Sequence, residues 1–157
     1  IGGFFSDLSA ENNLNAVGEI LIKDIKNRKI KIEELISKFE LDAVRKVEAK
    51  FLSGGMKRRL VISMSLLGEP EILLMDEPLA ALDPQTIQML QTIIIKLQSE
   101  YNLTILITDH QARDLLVVCD RAVILSNSKI VAEGTPNQLM QDDNAAKYYF
   151  GDNFKFK

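Results

Sequence analysis

Cysteine is nearly missing from this chain: among 157 residues there is one, Cys119. One thiol closes no internal disulfide, and a reducing compartment is the setting that fits. A surplus of positive charge is missing too. The formal net charge of −3 gives no basic footprint, so nucleic acid is not expected as a partner. No apolar run approaches the roughly 18 residues that a bilayer span needs, and any work at a membrane is expected to pass through a partner. The opening Ile1-Gly2-Gly3-Phe4-Phe5 lacks the basic segment of a secretory signal. Internal repeats, low-complexity tracts and a starting methionine are also missing, and the first residues read as mid-domain sequence, so a fragment of a longer protein is expected. What is present is 46% hydrophobic and 26% charged. That suffices for one ordinary globular core and does not fit a disordered tail.

The first third has a helical pattern. Leu14, Val17, Leu21 and Ile25 recur at three- and four-residue steps with charged residues between them, and Ser9 ahead of Glu11 suits a helix cap. A second amphipathic stretch runs from Ile32 through Leu35 and Ile36 to Phe39, and a shorter one lies around Val44 and Val47. Taken alone, this region is a small helical bundle. The pattern then changes. Glu71 to Asp76 and Leu103 to Thr108 are short apolar runs that predict strands buried on both faces. Pro84 to Glu100 predicts a helix with Ile87, Leu90, Ile94 and Leu97 on one stripe, and Gln111 to Val118 predicts another. Residues 122–125 and 129–132 predict a hairpin about Asn127-Ser128, and Pro136 opens a last short helix. Strand, helix, strand, helix, strand argues for an α/β fold with parallel strands, with a boundary near Gly68-Glu69-Pro70.

Three places carry chemistry, each with two readings. Ser53-Gly54-Gly55 precedes a strong helix, whose free first-turn N–H groups can hold a phosphate with Lys57, Arg58 and Arg59 behind; equally, this is a capped helix with solvated cations. Asp76-Glu77-Pro78 ends the first strand, at the sheet edge where ligands bind. There Asp76 suits Mg²⁺ and Glu77 suits a water that attacks phosphate; the alternative is an acidic strand end before a turn. His110, the only histidine, follows the second strand on the same edge. A lone histidine is more often structural, but its place beside the acidic pair favours a functional role.

Together these segments resemble the ATP-binding cassette (ABC) family. Leu52-Ser53-Gly54-Gly55-Met56 is similar to its signature motif, residues 72–78 to its Walker B strand with catalytic Glu, Ala80-Ala81-Leu82-Asp83 to its D-loop, and His110 to its switch histidine. The order of the four is specific where each alone is not, and the resemblance covers nearly the whole chain. Within the family the likeness is greatest to the lipopolysaccharide-export subgroup, through residues 107–110, Arg113, 118–122, 133–136 and the tail Tyr149 to Phe154. Branched-chain amino-acid importer ATPases have related endings.

The resemblance implies an α/β, RecA-like P-loop NTPase core of which the first part is missing: a helical signature subdomain over 1–68, then the C-terminal part of the core with its tail over 69–157. It implies ATP and Mg²⁺ as cofactors and a head-to-tail homodimer with nucleotide at the interface. By analogy Ser53, Gly54 and Gly55 bind phosphate in trans, Asp76 positions the metal, Glu77 is the general base, His110 contacts the γ-phosphate and Asp83 links the two sites. Transmembrane permease subunits would dock on the helical subdomain, within residues 5 to 50, at the cytoplasmic face of the membrane. Two departures stand out. Met56 occupies a position that is Gln in much of the family and acidic in the exporter subgroup. No glycine precedes a lysine and no Gln comes before Gln85, so neither a P-loop nor a Q-loop is present. The fragment by itself is therefore expected to be inactive. The competing readings are a non-catalytic docking module, and a soluble ABC-type ATPase of translation or DNA repair.

Overall fold

The computed structural model describes residues 3–147; the tail motif at 149–154 and the first two residues lie outside them. Of the described residues, 3–75 with 97–106 make one compact unit and 76–96 with 107–147 a second. The division runs through two strands and one long helix.

The first unit is built on α1 (Ala10–Leu21), α2 (Ile25–Lys38) and α3 (Gly54–Leu66). The stripe that predicted one helix through Ile25 is instead two. Ile22 turns extended, and the Asp24 carboxylate takes the Asn27 N–H at 2.7 Å to begin α2. The stretch around Val44 and Val47 forms only short 3₁₀ turns, Asp42–Val44 and Ala49–Phe51. Leu14, Leu35, Ile36, Phe39, Leu41 and Leu60 are fully or almost fully buried and form the core between the helices. Gly18 sits where α1 meets α2: a Cβ there would lie 3.2 Å from the Arg28 side chain and 3.3 Å from Ile32. Asn13 is completely buried. Its Oδ1 accepts the Phe5 N–H at 2.7 Å, and its Nδ2 donates to the carbonyls of Phe5, Leu8 and Ser9 at 3.0 to 3.1 Å. One side chain thus stands in for regular secondary structure along the loop before α1.

β1 (Ile72–Asp76) pairs with β2 (Thr104–Thr108). Thr104 N–H bonds Glu71 C=O at the strand starts and Glu77 N–H bonds Thr108 C=O at their ends, so the strands run parallel. They are joined by α4 (Pro84–Tyr101), the crossover that parallel pairing requires. The expected burial on both faces is not found. Leu73 and Met75 are buried, while Ile72, Leu74 and Leu106 are 59 to 70% exposed, because only one face of this two-stranded sheet is packed. At its far end α4 meets α2: Lys38 pairs with Glu100 and stands 4.1 Å over the Tyr101 ring, whose hydroxyl bonds Glu34 at 3.1 Å.

The second unit holds α5 (Ala112–Leu116), the antiparallel hairpin of β3 (Ala122–Ser126) and β4 (Lys129–Gly134), then α6 (Pro136–Leu139) and α7 (Asp143–Ala145). β3 is hydrogen-bonded to β4 and not to β2, so the described strands form two two-stranded sheets where the pattern predicted one. Leu116, Ile124, Ala132, Leu139 and Ala145 form a small separate core. The hairpin turn is where predicted. Asn127 and Ser128 both have left-handed φ, 50° and 60°, as a two-residue I′ turn needs. Glycine at the second position relieves about 1–2 kcal/mol of left-handed strain and loses about 0.5–1 kcal/mol of unfolded-chain entropy. Ser128→Gly is therefore expected to raise stability slightly, read as a higher urea midpoint with an unchanged slope; a lower midpoint would contradict the turn assignment.

Candidate functional site

Asp76, Glu77 and His110 come together in the second unit at the carboxyl ends of β1 and β2. Glu77 leaves the strand at φ 47°, and four residues on Ala81 has φ 58°. Left-handed backbone at a non-glycine costs free energy and persists where its surroundings enforce it. Glu77 Oε1 lies 3.1 Å from His110 Nε2, with the histidine side chain 88% and the glutamate 48% exposed. A pair so open to water contributes little to stability; the Glu77 N–H, bonded to the Thr108 carbonyl at 2.7 Å, ties the turn beneath it to the end of β2. The Thr108 hydroxyl donates to Asp76 Oδ1, which orients that carboxylate.

Sequence reasoning did not find the loop contacts that hold these groups. Asp109 Oδ2 accepts the Leu79 N–H at 3.0 Å and its Oδ1 the Gln111 N–H at 2.9 Å, while Gln111 Nε2 donates to the Leu79 carbonyl at 3.0 Å. The only sequence signal was position: the two polar residues flank His110. Beside this edge lies a cleft of about 420 Å³ between the end of β2 and β3, with Ile107, Leu115, Val123 and Leu125 on its apolar wall and Asp76, Glu77 and His110 at its polar end.

Asp83 caps α4. Its Oδ1 takes the N–H groups of Gln85 and Thr86 at 3.1 and 3.0 Å, and its Oδ2 the Thr86 hydroxyl. The Thr86 hydroxyl first, then its backbone N–H, hold the Asp83 carboxyl below the usual carboxylate range. A lowered folded-state value means that the cap stabilises above the unfolded value and is lost as pH falls through the folded one, in acid.

Ser53, Gly54 and Gly55 lie in the first unit. Ser53 is the N-cap of α3, extended at φ −63° and ψ 164°, and its Oγ accepts the Met56 N–H at 3.3 Å. Ser53 and Gly54 are exposed, whereas Gly55 is buried and the Met56 N–H is taken by Ser53, so Gly54 is the first-turn residue open to solvent at the positive end of the helix dipole. Of the basic residues behind, the two arginines are buried and do not form a solvated cluster, while Lys57 is partly exposed. Arg58 and Arg59 are each 8% exposed. Arg59 Nη1 bonds the Phe39 carbonyl at 3.1 Å and Glu40 Oε2 at 3.0 Å, and Lys57 Nζ bonds the Lys50 carbonyl at 3.1 Å.

Among the described residues there is no group of three or more His, Cys, Asp or Glu that could hold a metal. A hard divalent ion held by one carboxylate, with phosphate oxygens and water completing its shell, suits Mg²⁺, and Asp76, oriented by Thr108, offers such an oxygen. Among the described residues no helix is long and apolar enough to cross a membrane.

The family model described as ABC transporter matches residues 2–80. The lipopolysaccharide export system ATP-binding protein LptB of Haemophilus influenzae is 40% identical over 153 residues, covering 96% of this chain and 63% of that protein. The same-named protein of Escherichia coli K12 is 36% identical over 154 residues, with the same coverage. Among solved structures, an ATP-binding cassette of an ABC transporter in its ADP conformation superposes with a TM-score of 0.77 at 22% identity, over 94% of this chain and 64% of that one. A Clostridium perfringens protein that is part of an ABC transporter complex gives 0.80 at 22%, over 92% and 57%. At such identity these two show the fold alone. The chain thus spans about 63% of the length of the curated relatives it matches. With its motifs in family order, the family model over half its length and this degree of identity, the chain belongs to the ABC transporter family.

Proposed function

We propose that the chain is the C-terminal, signature-bearing part of the ATP-hydrolysing subunit of an ABC transporter, and that the cargo is lipopolysaccharide. The observation that carries the ATPase reading is the 3.1 Å pairing of Glu77 with His110, beside Asp76 at the carboxyl ends of two parallel strands. Ligands of open α/β sheets bind there. In this reading residues 1–68 are the helical signature subdomain and 69–157 the C-terminal part of the core. Glu77 accepts the proton of the water that attacks the γ-phosphorus, and His110 contacts the γ-phosphate. Asp76 would hold Mg²⁺, which supplies charge neutralisation to the phosphates. Ser53, Gly54 and Gly55 offer helix-terminal N–H groups to nucleotide held by a second subunit, and Asp83 links the two sites. The loop that holds the phosphates comes from sequence outside these 157 residues.

The lipopolysaccharide assignment is supported by the 40% identity to LptB across 96% of the chain. The partners are then a second ATPase subunit and transmembrane permease subunits, one of whose cytoplasmic helices docks on residues 5 to 50, with the ATPase on the cytoplasmic face of the membrane. Depleting the encoded protein in its source cell is the test. Loss of surface lipopolysaccharide, with retention at the inner membrane, is expected. Normal surface lipopolysaccharide with lost uptake of branched-chain amino acids would reassign the cargo. Purified complete protein that binds no ATP would remove the ATPase reading itself.

A further inference from the structure

We infer that Asp109 and Gln111 are positioning residues, which clip the backbone of Leu79 from both sides and thereby set where Glu77 stands relative to His110. The inference rests on the reading of Glu77 and His110 as hydrolytic groups. Leu79 is fully buried and lies two residues after Glu77. Its N–H is held by the Asp109 carboxylate and its C=O by the Gln111 amide, at 3.0 Å each. These two residues flank His110 in sequence, so the grip on one loop and the placement of the histidine are a single local unit. The Gln111 N–H, held by Asp109 Oδ1 at 2.9 Å, closes that unit.

Two further observations point the same way. Gln111 is the N-cap residue of α5, yet its side chain makes no capping bond there and reaches across to Leu79 instead. Glu77 and Ala81, on either side of Leu79, both have left-handed φ, a conformation that costs a non-glycine residue about 1–2 kcal/mol and is favoured where neighbours hold it. The exposed Glu77–His110 pair adds little to that, and the Glu77 N–H bond to the Thr108 carbonyl at 2.7 Å fixes the entry to the turn. The clip fixes the turn at Leu79, two residues on.

The test uses the complete protein, with hydrolysis normalised to bound ATP and the melting temperature measured in parallel. Gln111→Ala should lower kcat roughly tenfold or more at a KM for ATP within about twofold of wild type, as misplacement of reacting groups does. Gln111→Glu keeps the size of the side chain, loses the donor, and should show the same split; it serves if the alanine variant fails to fold. A kcat per bound nucleotide that stays at the wild-type level, or a loss accounted for entirely by lost folded protein, would overturn the clip. If instead wild type fails to hydrolyse ATP, or Glu77→Gln keeps its rate, the hydrolytic reading falls and the clip with it. A wild-type enzyme silenced by Glu77→Gln but indifferent to both Gln111 variants rejects the clip alone.

Discussion

Replacing Glu77 by Gln in the complete protein is expected to slow ATP hydrolysis by roughly 10²–10⁴-fold, the range for removal of a general base, equivalent to about 3–5 kcal/mol of barrier. The KM for ATP should move little, because the lost interaction belongs to the transition state. The substitution is nearly isosteric at a half-exposed side chain, and the new amide oxygen can still meet His110. Folding stability should therefore stay within about 0.5 kcal/mol, as for most surface changes. With binding intact and turnover blocked, the variant should accumulate as an ATP-bound dimer, visible as an ATP-dependent shift in size-exclusion chromatography. Normal turnover would remove Glu77 from the base role.

The largest effect on stability is expected at Asn13. Its side chain is fully buried and makes four hydrogen bonds to the backbone of residues 5, 8 and 9. Asn13→Leu keeps the branched shape but is larger, strands the Phe5 N–H and puts methyl groups beside three carbonyls. The three carbonyls keep backbone donors from Leu8, Ala49 and residue 13. The stranded Phe5 N–H costs about 1–3 kcal/mol and overpacking adds about 1–3 kcal/mol, so a loss of about 3 kcal/mol is expected. Chemical denaturation should show a lower midpoint. A midpoint unchanged within error would mean that the loop satisfies itself without Asn13. The composition gave no warning of this node, since an Asn inside an amphipathic pattern reads as a solvated position.

The hydrophobic pattern made most elements legible, because burial dictates periodicity. α4, both parallel strands and the Asn127-Ser128 hairpin stand where that pattern and the turn residues put them. The break between α1 and α2 was hidden because Ile25 continues the spacing of Leu14, Val17 and Leu21, although Asp24 is a capping residue and was a usable signal. The apolar run at β1 predicts burial on both faces, yet Ile72 and Leu74, as apolar as Leu73 and Met75, lie on the bare side. A run of apolar residues does not say whether both faces find partners.

The candidate site was legible in its chemistry and hidden in its support. Asp76, Glu77 and His110 could be placed on one sheet edge because both strands end there. The left-handed turns at Glu77 and Ala81 could not be read, as neither residue is glycine. The hold of Asp109 and Gln111 on Leu79 links loops about thirty residues apart, and no local pattern encodes it. The basic cluster after Ser53-Gly54-Gly55 misled in the opposite direction. Three cations at a helix start suggest anion binding, yet Arg59 is spent on Phe39 and Glu40, and Lys57 on Lys50. What remains at that helix start for a phosphate is the backbone and the partly exposed Lys57.

The proposed division of labour gives these residues the acid–histidine pair and the signature motif but not the loop that holds the phosphates. It is tested most directly by assaying Mg-dependent ATP hydrolysis with the purified 157-residue chain beside the complete protein. The prediction is no turnover above background from the chain alone, and turnover from the complete protein that Glu77→Gln abolishes. Mg-dependent hydrolysis by the chain alone, lost on Glu77→Gln, would contradict the account by showing that a complete phosphate site lies within these residues.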